Sequence, residues 1–71
     1  MNLRQLRERA GHTQEVLAKI TGLHQTTISG LETGAVKNPR LDTLQKLAAG
    51  YGVELSVVVA AVDATAAEAA A

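Results

Sequence analysis

The 71-residue chain contains no cysteine. This excludes a disulfide scaffold, a thiol nucleophile and a thiolate metal site. Phe and Trp are absent as well, and Tyr51 is the sole aromatic. Stacking of unpaired bases on aromatic side chains therefore has almost nothing to work with. No apolar run approaches the ~20 residues of a membrane span, and no charged-then-apolar leader opens the sequence, so a cytoplasmic protein is expected. No phosphate-binding glycine loop, paired carboxylates or Ser–His–Asp pattern is present, and His12 and His24 lack metal-ligand spacing. The expectation is a non-enzyme with no metal or cofactor.

Net charge is also lacking, but its distribution is uneven. Residues 1–40 hold six bases (Arg4, Arg7, Arg9, Lys19, Lys37, Arg40) against three acids (Glu8, Glu15, Glu32), a net of +3. Residues 41–71 hold Lys46 against Asp42, Glu54, Asp63 and Glu68, a net of −3. The split fits one face built for an anionic partner; it also fits an uneven solvated surface.

What is present is helical periodicity cut by glycine. Leu3, Leu6 and Ala10 share a helical face that ends at Gly11. Thr13 is a good N-cap for a second helix with Leu17, Ala18 and Thr21 on one side, and Gly22 closes it. A third helix carries Ile28 and Leu31 and ends at Gly34. After a loop containing Pro39, a fourth helix places Leu41, Leu44, Leu47, Ala48 and Tyr51 on its apolar side, with Gly50 and Gly52 read as its stop. Val53, Leu55, Val57 and Val59 then alternate with Glu54 and Ser56. This period of two favours a strand over a fifth helix starting at Ser56. Residues 64–71, six of them alanine, are expected to form a frayed tail. The fold class is therefore all-α, with four to five short helices and an optional short C-terminal strand.

Two short helices joined by a glycine-containing turn form a helix-turn-helix. Ala18 is small where the helices cross, Gly22 suits the left-handed turn, and Ile28 anchors the second helix. A generic helical hairpin would not need all three in register.

The stretch Leu3 to Leu55 resembles the phage repressor and Cro family, also called the xenobiotic response element family. The residues that carry the resemblance are Leu3-Arg4-Gln5-Leu6-Arg7, Thr13-Gln14-Glu15-Val16-Leu17-Ala18, Gly22 through Ser29, Leu31-Glu32-Thr33-Gly34 and Pro39 through Ala48. It implies a lambda-repressor-like bundle and a double-stranded DNA partner. It also implies that the second helix of the motif lies in the major groove, with Gln25 and Thr26 facing base edges, Thr27 and Ser29 beside them, and Gly30 where relatives carry a long polar reader. The plain alternative for these residues is solvated helix surface. Gln14, His24, Lys37, Asn38 and Arg40 are the implied phosphate contacts, and Arg7 and Glu32 an implied structural ion pair. His24 departs from the usual Ser or Thr cap, and the mid-helix Gly30 suggests either a close approach of DNA or partner, or fewer bases read.

Family members usually bind palindromic operators as homodimers. A strand at Val53, Leu55, Val57 and Val59 would be an exposed edge that a second copy could pair with. Apolar strands in this place are similar to those of antitoxins of the HipB type. The organisation expected is thus a helix-turn-helix domain over 1–55, a dimerisation strand or helix over 53–63 and a flexible tail over 64–71. Three functional readings follow. The first is a DNA-binding transcriptional regulator, most simply a repressor. The second is an antitoxin that also binds a protein toxin and represses its own operon. The third is an interaction module that has lost DNA binding, for which Gly30, His24 and the neutral charge speak.

Overall fold

The computed structural model describes residues 1–70. It is all-helical, with α1 Leu3–Arg9, α2 Gln14–Thr21, α3 Gln25–Glu32, α4 Leu41–Tyr51 and α5 Leu55–Ala70. No strand and no helix long and apolar enough to cross a membrane occurs among the described residues. The bundle is the lambda-repressor-like one, in its five-helix form.

Local signals set the helix starts. Asn2 Oδ1 accepts from the Gln5 backbone N–H at 2.8 Å, and Gln5 Oε1 accepts from the Asn2 N–H at 2.9 Å. This reciprocal capping box satisfies two otherwise unpaired groups at the start of α1. Thr13 caps α2 by accepting from the Val16 N–H at 3.2 Å. Every helix buries one stripe: Leu3 and Leu6 of α1, Leu17 of α2, Ile28 and Leu31 of α3, Leu47, Ala48 and Tyr51 of α4, and Val58 and Ala61 of α5. These form a single core cluster.

The strand expected over 53–59 does not form; α5 occupies its place. Period-two alternation predicts that Val57 and Val59 share a face. Instead the fully buried residue is Val58, from the opposite parity, followed three residues later by Ala61. Winding the segment as a helix lets these small apolar residues reach α4, α1 and α3 together. A strand would have presented its open edge to solvent.

Residues 64–70, expected as a frayed tail, continue α5 and dock. Thr65 is buried; its Oγ1 accepts from the Leu3 N–H at 3.1 Å and donates to the Ala61 carbonyl at 2.8 Å. The Glu68 carboxylate accepts from Asn2 Nδ2 at 2.7 and 3.1 Å. Ala69 packs on Gly34, which closes the turn after α3. Residue 71 lies outside the described residues.

Gly50 does not stop α4, which runs on to Tyr51. It is a crossing point: a Cβ there would sit 2.7 Å from Thr21 Cγ2 and 3.0 Å from Leu17 Cδ1. Its missing side chain lets α4 approach α2 and seat Leu17.

Tyr51 sits at the C-terminal end of α4. Burial raises its phenol above the ordinary value of 10.0; the charge of Glu32 adds to this, and Arg7 works against it. The folded state therefore holds the phenol proton more tightly than the unfolded chain. That stabilisation is complete below pH 10 and declines as the pH climbs towards the raised native value. Urea midpoints should show this decline above about pH 10, and Tyr51→Phe should flatten it. An identical alkaline profile in the Phe variant would rule the phenol out as its source.

Candidate nucleic-acid interface

α2 and α3 form a rigid corner. Gly22 adopts φ +74°, a left-handed conformation that L side chains rarely take, and its N–H donates to the Ala18 carbonyl at 2.9 Å. Thr21 Oγ1 donates to the Leu17 carbonyl at 2.7 Å and accepts from the Leu23 N–H at 3.3 Å. Leu23 and Ala18 pack against the core. Ile28 is buried below them and fixes the rotation of α3.

With Ile28 and Leu31 turned inward, helical periodicity turns Gln25, Thr26, Ser29, Gly30 and Thr33 outward as one arc. Gln25, Thr26 and Thr33 are exposed, Ser29 and Gly30 half-buried, and Thr27 half-buried on the flank. His24 precedes the helix, exposed, and makes no side-chain cap. The Gln25 and Thr26 N–H groups thus have no side-chain acceptor and remain available to an anion, while the Thr27 N–H donates to the His24 carbonyl at 3.0 Å.

Behind the arc, Glu32 is held at three points. Arg7 Nε donates to its Oε2 at 2.7 Å, Arg7 Nη2 to Oε1 at 3.1 Å, and Gln14 Nε2 to Oε1 at 3.1 Å. The Arg7 and Glu32 side chains are only 13 % and 5 % exposed. The hydrogen bond to Glu32, ahead of its charge, raises the Arg7 pKa further above its ordinary value. Arg7 Nη1 also donates to the His12 carbonyl at 3.1 Å, so the backbone of His12 is what this network uses. Gln14, expected at a phosphate, spends one amide hydrogen on Glu32.

The loop after α3 answers the question raised by Gly30. The Val36 N–H donates to the Gly30 carbonyl at 3.0 Å. A Cβ on Gly30 would lie 3.0 Å from Val36 Cγ2. Gly30 is small because the chain's own loop folds over it. Beyond it, Lys37, Asn38 and Arg40 are all exposed. Arg40 pairs with Asp42 at 3.5 Å. Arg4 pairs with Glu8 at 3.5 Å and Lys19 with Glu15 at 3.8 Å, both on exposed helix surface. Such pairs are screened and weak. Lys37 shares a shallow groove with Ser56, Val59 and Asp63 of α5.

The proposed dimer residues do not come together as a set. Val53 packs on the core and Leu55 is half-buried. Val57 lies in a groove with Met1, Leu6 and Tyr51, whereas Val59 lies on the Lys37 side. Helical winding puts them on different faces. Thr33 and Val36 on the α3 side have no contact role assigned from the sequence, nor has Arg4, which lines a cleft with Arg7, Gln14, Glu32 and Thr33. For Thr33 the signal was available, since it lies one turn after Ser29.

A family model described as helix-turn-helix matches residues 3–58. No curated protein and no solved structure matches the chain.

Proposed function

Since the chain belongs to the xenobiotic response element family of helix-turn-helix proteins, which are DNA-binding transcription regulators, we propose that it is a repressor that binds a palindromic operator as a cytoplasmic homodimer. Its family is one of DNA binders and not of catalysts. The observation that carries the reading is the exposed polar arc of α3, fixed from behind by the Arg7–Glu32–Gln14 network. In this reading α3 enters the major groove, Gln25 bonds an adenine edge through N6 and N7, and Thr26 sets its methyl against a thymine. Thr27 and Ser29 lie beside them. The open α3 amides with His24, and Lys37, Asn38 and Arg40 beyond the helix, hold phosphates on either side.

One recognition helix spans only a few base pairs, so two copies on half-sites ~34 Å apart supply the missing contacts. Val57 and Val59, 41 % and 49 % exposed, lie on different faces of α5, so a second copy docking on one face of that helix covers one of them and not both. An antitoxin would use the same DNA surface and add a protein partner; recovery of a second protein with the purified chain would favour it. The interaction-module reading loses one of its grounds, because the smallness of Gly30 has an intramolecular cause.

The test begins with a duplex selected from a random-sequence library, titrated against unlabelled nonspecific DNA at several salt concentrations. Wild-type binding should be sequence-specific, two chains per site, and fall steeply with salt. Gln25→Ala should lose about 1–3 kcal/mol of discrimination at one base pair per half-site while keeping the salt slope. Selection of no consensus would overturn the reading.

A further inference from the structure

We propose that Val36, a loop residue outside α3, is itself a base reader: its methyl groups, seated over Gly30, meet the C5-methyl of a thymine in the major groove. This deepens the DNA-binding reading above and rests on α3 entering the groove. Three observations converge. First, Gly30 lies one turn after Thr26 on the outward arc of α3, where a side chain would be aimed at whatever α3 faces. It has no side chain, and Val36 Cγ2 occupies the volume a side chain would begin to fill, 3.0 Å from the Cβ position. Second, the placement is held by backbone: the Val36 N–H donates to the Gly30 carbonyl at 3.0 Å, and Thr33 Oγ1 donates to the same oxygen at 3.2 Å. Third, Val36 remains 42 % exposed. The packing on Gly30 thus leaves much of an apolar side chain in water, in a loop whose next residue is the exposed Lys37.

The major groove offers one apolar feature, the thymine methyl, and methyl-bearing side chains read it by contact. A β-branched side chain has few rotamers to lose on meeting it. The loop thereby supplies apolar recognition at the edge of an arc whose other side chains, Gln25, Thr26, Ser29 and Thr33, are polar.

The experiment uses the full chain and the selected duplex, with each thymine replaced in turn by deoxyuridine, which removes only the 5-methyl. For wild type, one uracil position per half-site beyond that read by Thr26 should weaken binding about fourfold, the worth of one buried methyl-sized group. In Val36→Ala the penalty at that position should vanish, with Gln25-dependent discrimination intact. Val36→Thr, which keeps one methyl, should retain part of it. Uracil penalties unchanged in Val36→Ala, with specific binding preserved, overturn the role of Val36 alone. Selection of no consensus by the wild-type chain overturns this inference and the major-groove reading together.

Discussion

Arg7→Ala should leave most of the protein unfolded at room temperature. Glu32 takes two hydrogen bonds from Arg7 and one from Gln14 while almost wholly out of water. Removing the guanidinium strands a buried carboxylate with one neutral donor and also frees the His12 carbonyl. Breaking a buried pair in this way costs ~3–5 kcal/mol. A chain of this length has a total stability of only a few kcal/mol, so the loss is comparable to the whole. The network joins α1 to α3 across the start of α2, so its loss weakens the contacts between helices and not one helix alone. Urea melts followed by circular dichroism measure the effect. Replacing both partners, Arg7→Met with Glu32→Met, should recover much of it, since no charge is then buried. A single variant that unfolds within about 1 kcal/mol of wild type would show the pair to be far better solvated than its burial indicates.

Gly34→Ala should cost ~2–5 kcal/mol, combining a left-handed backbone penalty with overpacking. Gly34 holds φ +81°, and an added Cβ would fall 2.5 Å from Ala69 Cβ. Neither atom ends a flexible side chain. Relief must come from the last turns of α5 swinging away, which breaks the Thr65 bond to Leu3 and the Glu68 bonds to Asn2. Amide exchange should therefore rise first in α1 and in residues 61–70. Ala69→Gly in the same chain should return the steric share and leave the backbone share. If the double variant is no more stable than Gly34→Ala, the clash is not the cause.

The parts of the fold legible in the sequence are those dictated by local pattern. Leu3 and Leu6, Leu17, Ile28 and Leu31, and Leu47 with Tyr51 stand at helical spacing, and each is buried on its helix. The turn at Gly22 is marked by residue type alone. α5 was misread because β-branched residues at every second position mimic a strand, whereas burial is decided by what α1, α3 and α4 leave uncovered. That is a space for Val58, Ala61 and Thr65. The docking of residues 65–69 depends on Asn2, Leu3 and Gly34, more than thirty residues upstream, and no local propensity encodes it. Gln25 and Thr26 were legible as outward-facing because they precede an anchored Ile28. Val36 was not, because the contact that places it on Gly30 crosses the α3 turn. The Asn2–Gln5 capping box is local and legible, since Asn stands three residues before Gln at the start of a helical pattern.

The bonds from Thr65 and Glu68 to Leu3 and Asn2 have a consequence for synthesis. A ribosome making roughly 5–20 residues per second needs about 3–13 s to cover the 66 residues from Asn2 to Glu68. Throughout that interval Leu3 and Leu6 wait without the helix that covers them. The α2–α3 corner, whose partners are close in sequence, is synthesised well before. The nascent chain thus carries the α2–α3 corner ahead of the clasp between its two ends, and the apolar face of α1 stays uncovered by α5 until the last turns of that helix arrive.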